Sequence, residues 1–296
     1  MRALRTIGLC CLLACGGVVW PQQVPSPKVK AVATFSILGD MVKNVGKDRV
    51  DVTVLVGPDG DVHTFEPTPR QAIALVRARV IFENGLHFEH WLDDLYASSG
   101  SRASRIVVTD GVEPIVLGND EDPHVWHDVG NVLLMTERIR DALIAADQDH
   151  AAYYRENTEK YLAELAKMDQ WIIETLKDIP DEHRKLVTSH DTFGYFAKRY
   201  GFTVIGTAIE SASTEAVDPS AAEIARLVEK IKAAGVKVVF AENTHNPKLL
   251  ESVAAEAGVK LASKLYTDAL GPVGSAGDTY VKMMRYNARI FAESLK

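Results

Sequence analysis

The chain has 296 residues, with 40 Asp and Glu against 33 Lys and Arg, and its formal net charge is −7 at pH 7. This acidic balance, without a long Lys/Arg cluster, argues against nucleic acid or an anionic membrane surface as the main partner. Hydrophobic residues make up 47% of the chain and charged residues 25%, which is typical of a soluble protein with one large domain or two ordinary ones.

The N-terminus has the pattern of an export signal. Arg2 and Arg5 precede an apolar run at 7–20, IGLCCLLACGGVVW, which is shorter than the roughly 20 residues that span a bilayer. Lipidation at Cys15, as in a bacterial lipoprotein, and ordinary cleavage near 14–16 both fit this pattern. We therefore interpret residues 1–28 as a signal and tether, and expect a periplasmic or extracytoplasmic mature protein, with a lipid anchor on Cys15 as one of the two alternatives.

All three cysteines lie in this leader, at positions 10, 11 and 15. The mature body therefore has no cysteines to form a disulfide, and it offers no thiolate to a metal ion. Any metal site in it must use nitrogen and oxygen ligands.

The first half of the mature chain alternates predicted strands and helices. Strands are predicted at 29–35, 50–57, 78–85 and 104–111, and helices at 37–46, 68–78 and 131–147. In the second of these helices, Thr68 is a suitable N-cap and Pro69 occupies the first helical position.

One long helix is predicted at 153–179. Apolar residues recur there every three or four positions, and neither proline nor glycine interrupts the segment. Its roughly seven turns would span on the order of 40 Å. We expect residues 151–180 to join an N-terminal lobe at 29–150 to a C-terminal lobe at 181–296.

The alternation then restarts. Strands are predicted at 185–190, 202–209, 236–243 and 259–265, and helices at 192–201, 218–235, 246–258 and 278–295, with Asp218 as the cap of the second helix. The stretches 77–92 and 234–250 share a Val/Phe-rich strand, Glu-Asn and a following histidine. The predicted fold is α/β, with two similar lobes of mostly parallel sheet; in such folds ligands bind at the carboxyl ends of strands.

Three histidines and one aspartate fall in loops or at predicted strand ends, two from each half. They are His63, His124, His190 and Asp268. A loop histidine is often merely solvated, and an aspartate after a strand often forms a turn. However, the runs DVH, DPH and SHD each place an acid beside a histidine, where it could accept the second ring N–H and orient a metal ligand. The residues alone leave both interpretations open.

Longer stretches give a more specific indication. They are ATFSILGD, GPDGDVHTFEPTP, NGLHFE, DPHVW, VTSHDTFGYFAKRYG, AEN, LYTDAL and YVKMMRYN, and they span nearly the whole mature chain. In these stretches and their order, the chain resembles the zinc and manganese receptors of bacterial ATP-binding-cassette importers. The resemblance implies two α/β lobes joined by a rigid helix, a metal site in the cleft, a permease partner and no enzymatic activity.

The resemblance also implies which residues bind the metal: His63, His124, His190 and Asp268. His127 stands where relatives usually have an apolar residue, so we expect a packing or rim role for it. Asp278, the natural rival to Asp268, is interpreted as a cap of the last helix.

The metal is predicted to be zinc. Manganese-selective members of the resembled group usually have Glu where this chain has His190, and three imidazoles with one carboxylate suit four-coordinate Zn²⁺. A manganese or dual receptor is the main alternative; a zinc hydrolase and an adhesin are weaker ones. We expect the protein to be a monomer and the acidic run at 120–122 to attract cations toward the site. Delivery of the metal by a metallochaperone is an optional further step.

Overall fold

The computed structural model describes residues 27–118, 120–209 and 219–296. The predicted signal and tether, with Cys15, therefore lie outside the described residues apart from the last two positions, 27 and 28. Within the described ranges, no helix combines the length and apolarity that crossing a membrane requires.

The N-terminal half forms a four-stranded parallel sheet. Its elements are β1 (Val29–Phe35), α1 (Ser36–Gly46), β2 (Val50–Val56), α2 (Pro69–Arg77), β3 (Val80–Glu83), α3 (Leu92–Ser99) and β4 (Ser104–Val107). The strand order is β2-β1-β3-β4, and Ala31 of β1 pairs with both Val52 and Val80. β1 is buried along nearly its whole length, as expected of a central parallel strand whose two faces are covered.

A short antiparallel hairpin follows this sheet, made of β5 (Val116–Leu117) and β6 (Asp120–Glu121). A 3₁₀ turn at Val125–His127 leads into α4 (Val129–Ala146), whose cap Asp128 accepts a hydrogen bond from the Gly130 N–H. The chain therefore passes from an exposed hairpin to a buried turn within a few residues.

The long helix α5 runs over Ala151–Leu176. Its 26 residues correspond to about 39 Å. It packs against α1 and α4 of the N-terminal half and against the last helix of the chain. This packing suits a connecting helix, while the lobe boundaries at 29–150 and 181–296 stay a prediction.

The C-terminal half repeats the strand pattern of the first. Its elements are β7 (Lys185–Thr188), α6 (Gly194–Tyr200), β8 (Thr203–Thr207), α7 (Ala221–Ala233), β9 (Val238–Glu242), α8 (Lys248–Ala257), β10 (Lys260–Leu265) and α9 (Tyr280–Leu295). β7 pairs with β8 and β9 with β10, both in parallel, and β7 lies beside β9. The two ladders β7-β8 and β9-β10 lie in contact through β7 and β9, so the order β8-β7-β9-β10 matches β2-β1-β3-β4 and the predicted α/β fold with two similar lobes is confirmed.

The predicted cap of α7 is wrong. The N-cap is Ser220, whose hydroxyl accepts from the Glu223 N–H while the Glu223 carboxylate accepts from the Ser220 N–H. This reciprocal capping box satisfies two helix-end donors. Asp218 itself lies outside the described residues.

The main hydrophobic core continues from one half to the other. It includes Phe35 of β1, Trp126 of the buried turn, Leu165 of α5 and Phe291 of α9. A second, smaller cluster lies within the C-terminal half, around Val239 of β9. The shared core fixes the two sets of strand ends relative to each other.

Candidate metal centre

Three of the four predicted ligands lie in loops at the carboxyl ends of parallel strands, and His124 follows the antiparallel hairpin. His63 follows β2, His124 follows β6, His190 lies two residues after β7, and Asp268 lies three residues after β10. Parallel strands present their carboxyl ends at one edge of a sheet, so each half contributes loops from that edge. The two edges face each other, and all four side chains are buried.

The ligand atoms of these residues converge on one point. The Nε2 atom of His124 lies 3.3 Å from Nε2 of both His63 and His190. The carboxylate of Asp268 lies 3.1 Å from His190 Nε2, 3.6 Å from His124 Nε2 and 3.9 Å from His63 Nε2. The four ligand atoms all lie within 4.8 Å of one another.

The five separations given above, measured to whichever Asp268 oxygen is nearer, are close to those of a tetrahedral coordination shell. Bonds of about 2.0–2.1 Å to a tetrahedral zinc ion place neighbouring ligand atoms roughly 3.3–3.4 Å apart. The observed range of 3.1 to 3.9 Å brackets that value. The geometry can therefore accommodate one small divalent cation with little rearrangement.

The charge states of His63 and Asp268 favour a cation, whereas His190 must lose a proton before it can bind one. Burial lowers the pKa of His63 to about 3, so this imidazole is neutral and can offer its lone pair. Burial opposes ionisation of Asp268, but His190 and His124 hold the pKa of that carboxyl well below its usual range. Burial also opposes charge on His190, but the carboxylates of Glu242 and Asp268 hold its pKa well above the usual range.

One oxygen of Asp268, Oδ2, faces His190 Nε2 at 3.1 Å, so its charge is balanced only while His190 is protonated. Asp268 Oδ1 accepts a hydrogen bond from the Thr192 hydroxyl at 3.3 Å. Its Oδ2 is buried and accepts no hydrogen bond of good geometry from any described residue. When His190 is neutral, a bound divalent cation would supply the positive charge that this buried oxygen requires.

Two acidic side chains orient the histidine ligands. Asp122 Oδ1 lies 2.7 Å from His124 Nδ1 and accepts the His124 backbone N–H as well. Glu242 Oε2 lies 2.6 Å from His190 Nδ1, while its Oε1 accepts the backbone N–H groups of Ser189 and His190. With Nδ1–H donated to the carboxylate, each ring directs the Nε2 lone pair toward the site.

The prediction that an acid nearby in sequence orients each histidine ring is correct only for His124. Asp122 fills the predicted role for His124, but Asp61 binds the backbone N–H of His63 rather than its ring. For His190 the acceptor is Glu242, at the end of β9, and not the adjacent Asp191. The sequence did show the Glu242-Asn243 pair at the end of a predicted strand. In the structure that strand, β9, lies beside β7, which His190 follows.

His245 is a further residue that the sequence reasoning missed. Its ring stacks on His190 with centroids 4.9 Å apart, and its Nδ1 lies 3.4 Å from Glu242 Oε2. His190, Glu242 and His245 form a second group with metal-ligand types, but it shares His190 with the first. We therefore treat His245 as packing around the same centre.

An aromatic wall encloses the ligands from the N-terminal half. Phe88 packs edge-on against His63, at 4.8 Å between ring centroids, and Trp126 lies 5.3 Å from His124. Phe35 contacts both Phe88 and Trp126. These rings exclude water, which strengthens electrostatic interactions between a cation and its ligands.

The two side chains expected outside the ligand set are indeed elsewhere. His127 is fully buried against Phe193, and neither ring nitrogen has a hydrogen-bond partner among the described residues. It is therefore a packing residue and not a rim residue. Asp278 is not the cap of α9: Thr279 caps that helix, while Asp278 accepts the Gly274 N–H and pairs with Lys282.

The acidic run before His124 divides into two roles. Asp120 and Glu121 are exposed on the hairpin, where a role in attracting cations stays a prediction. Asp122 is fully buried and orients His124.

Comparisons with known proteins place these features in a family. The family model described as "Zinc-uptake complex component A periplasmic" matches residues 31–294. The manganese-binding lipoprotein MntA of Halalkalibacterium halodurans is 36% identical over 269 residues, covering 90% of this chain and 88% of the relative. The manganese transporter substrate-binding lipoprotein PsaA of Streptococcus pneumoniae is 31% identical, covering 96% of this chain and 94% of PsaA.

Solved structures show the same fold. The periplasmic zinc-binding protein TroA of Treponema pallidum superposes with a TM-score of 0.86 at 27% identity, covering 90% of this chain and 99% of TroA. A manganese-bound periplasmic metal-binding protein of Candidatus Liberibacter asiaticus gives a TM-score of 0.82 at 27% identity, covering 91% of this chain and all of that chain.

Proposed function

This chain belongs to the ZnuA family of periplasmic zinc-uptake components, and on that premise we propose that it captures zinc outside the cytoplasm and delivers it to the membrane permease of an ATP-binding-cassette importer. Relatives are named substrate-binding lipoproteins of metal transporters, which are not enzymes. We extend that location and role to this chain, as a monomer, with lipid anchoring through Cys15 as one route of attachment. Delivery of zinc by a metallochaperone is an optional step upstream.

The choice of zinc rests on one observation, which is the donor set. Three imidazole nitrogens and one carboxylate converge at tetrahedral spacing in a buried site. Zn²⁺ accepts this nitrogen-rich, four-coordinate set, whereas Mn²⁺ prefers oxygen ligands and higher coordination. Where zinc is available, the general order of metal affinities also favours it over manganese.

Manganese is the second candidate, because relatives such as MntA and PsaA are named for manganese. The two metals are distinguished by measuring the metal content of the purified protein and then titrating zinc against manganese. We expect zinc to be retained in at least a tenfold excess of manganese. Retention of manganese in excess zinc would overturn the proposed cargo while leaving the receptor role intact.

The ligand set itself is tested by single substitutions. Alanine at His63, His124, His190 or Asp268 should each weaken zinc binding by more than about 100-fold, which exceeds the effect of losing an outer partner. His127→Leu and Asp278→Ala are matched controls, and both should bind zinc within a few-fold of wild type. Equal loss in the Asp278 variant would show that the fourth ligand is misassigned.

The metal preference should depend on position 190. A glutamate there would face the Glu242 carboxylate, which lies 2.6 Å from the present ring nitrogen. The informative variant is therefore His190→Glu combined with Glu242→Gln, with Glu242→Gln alone as its control. We expect the double variant to shift the zinc-to-manganese affinity ratio toward manganese by at least tenfold relative to that control.

A further inference from the structure

The loop that carries Asp268 belongs to the C-terminal half but is hydrogen-bonded to the N-terminal half. We call residues 266–279, between β10 and α9, the Asp268 loop. Trp126 Nε1 donates to the Thr267 carbonyl at 2.9 Å. The Leu270 N–H donates to the Ser36 hydroxyl at 2.9 Å, and the Leu270 carbonyl accepts the Asp59 N–H at 2.9 Å. Three hydrogen bonds, at Thr267 and Leu270, therefore hold the backbone of this loop against the N-terminal half.

Asn243 adds a side-chain connection to the same contact. Its Nδ2 donates to Asp59 Oδ1 at 2.8 Å and to the Ala269 carbonyl at 3.1 Å. Its Oδ1 accepts the Thr267 N–H at 3.1 Å. Asn243 follows directly after Glu242, the residue that orients His190. One amide group thus joins the Asp268 loop, the end of β9 and Asp59 of the N-terminal half.

Asp59 has a backbone conformation suited to this contact. Its φ is +54°, in the left-handed region that Asp and Asn adopt more readily than most other side chains. In this conformation its N–H reaches Leu270 and its carboxylate reaches Asn243. Asp59 lies only four residues before His63, so the contact links the loops that carry two different ligands.

We propose that Asp59 and Asn243 are positioning residues that hold the His63 loop and the Asp268 loop together and thereby set how long the bound metal stays. The inference rests on the proposed receptor function. Neither residue belongs to the ligand cluster, so the pair acts through the loops. Since His63 and Asp268 contribute ligands from opposite halves, separating these loops breaks up the coordination shell. The pair should therefore slow dissociation and leave association nearly unchanged.

Two substitutions at Asp59 separate the hydrogen bond from the charge. Asp59→Gly removes the side-chain acceptor but tolerates the positive φ and keeps the backbone N–H. Asp59→Asn removes the same negative charge but keeps an oxygen that can accept from Asn243. We expect zinc to dissociate roughly fivefold faster from the glycine variant, the effect of one hydrogen bond of typical strength. The asparagine variant should release zinc within twofold of wild type.

Dissociation is measured by mixing zinc-loaded protein with excess EDTA in a stopped-flow instrument and following Trp fluorescence. Association is measured by mixing metal-free protein with zinc, and should differ by less than twofold among the variants. Thermal melting of each metal-free variant establishes that it is folded. An unchanged dissociation rate in Asp59→Gly, or equal acceleration in both Asp59 variants, would overturn the role of the hydrogen bond.

A reversed pair provides an independent test. Asn243→Asp places two carboxylates face to face and should release zinc about tenfold faster than wild type. Adding Asp59→Asn restores a donor and an acceptor in the opposite order, so the double variant should release zinc more slowly than Asn243→Asp alone. If it does not, the two side chains do not act as a pair.

The same rates are measured with manganese. If wild type binds neither zinc nor manganese stoichiometrically, the proposed receptor function fails. If wild type binds either metal and the variants release it at the wild-type rate, the receptor function survives and the positioning role of Asp59 and Asn243 fails.

Discussion

At the scale of single residues, the metal centre depends on carboxylates that do not touch the metal. Glu242 is fully buried, and although burial opposes its ionisation, His190 beside it holds its pKa at about 2. It is therefore an anion that accepts the His190 Nδ1–H and two backbone N–H groups at once. Its role is to fix the direction of the His190 ring.

Glu242→Gln tests that role. The amide keeps the size of the side chain but removes the charge, so we expect zinc affinity to fall about 10- to 100-fold, as for other outer partners of metal-bound histidines. Asp191→Asn is the matched control, since Asp191 is adjacent to His190 but does not accept its ring N–H. Zinc titration by calorimetry measures both. A larger loss in the Asp191 variant would contradict the assignment.

The protonation of His190 gives a pH prediction. Without metal its pKa lies well above the usual histidine range, because Glu242 and Asp268 favour the charged ring. Zinc requires the neutral ring, so binding near pH 7 must release about one proton from this residue. Zinc affinity should then rise about tenfold for each pH unit through the neutral range and fall as pH decreases. Calorimetry in buffers with different ionisation enthalpies counts the proton, and a count near zero would contradict this.

At the scale of elements, the positions of long segments with a periodic apolar pattern were predictable from the sequence. A short helix and the N-cap residues of two helices were not. β1 has its predicted bounds, and α5 lies within three residues of its predicted ends, because each has an extended apolar pattern. The short helix α3 was missed, since only Leu92 and Leu95 are buried in it. The caps of α7 and α9 were assigned to nearby aspartates, because Asp, Ser and Thr are all favourable N-caps and residue type alone does not decide between two such residues close together.

That the four proposed ligands converge was predictable in part. His190 and Asp268 lie within three residues of the ends of parallel strands and His63 lies in the loop after β2, so chain order indicates which edge they share, whereas His124 follows the antiparallel hairpin. The partner of His190 was not predictable from adjacent residues, because Glu242 reaches it only through the contact of β7 with β9. A local sequence pattern does not show which strands, distant in sequence, lie in contact.

Glu89 illustrates how one buried acid joins two elements. It accepts the Thr34 hydroxyl of β1 and the backbone N–H groups of Asn84 and Gly85, which follow β3. Burial raises its pKa to about 7, from a usual value near 4.5. The folded state therefore binds a proton more tightly than the unfolded state. Stability contributed by this group is present below about pH 4.5 and is lost as pH rises toward 7.

Glu89→Gln should remove this pH dependence. Glutamine is uncharged like the protonated acid, but its amide nitrogen cannot accept the Gly85 N–H, so the variant should be less stable than wild type near pH 4.5. Between pH 4.5 and pH 8 the stability of the variant relative to wild type should rise by about 3 kcal/mol, close to the free energy equivalent of the raised pKa. Urea unfolding of the metal-free proteins at both pH values measures the difference. A relative stability that does not rise between these pH values would show that the ionised form is stabilised by its hydrogen bonds.

At the scale of the whole molecule, a metal ion at the proposed site would join two halves that are already joined by a core. Phe35, Trp126 and Phe291 belong to one hydrophobic cluster that runs between the halves. The ligands also come from both halves, so a bound metal adds a second connection at the strand ends. The fold therefore should not depend on the metal in the way that a small zinc finger does.

Removal of zinc should consequently lower stability without unfolding the protein. A ligand that binds only the folded state stabilises it by about 2.7 kcal/mol at 100 times its Kd. For a chain of this size, that corresponds to a rise in Tm of roughly 5–10 °C. Circular dichroism with EDTA should keep the helical signal at 25 °C, and adding zinc should then raise the Tm. Asp268→Ala should stay folded but lose the zinc-dependent rise, because the buried core does not involve this carboxylate. Unfolding of wild type by EDTA at 25 °C would instead mean that the metal, and not the shared core, holds the two halves together.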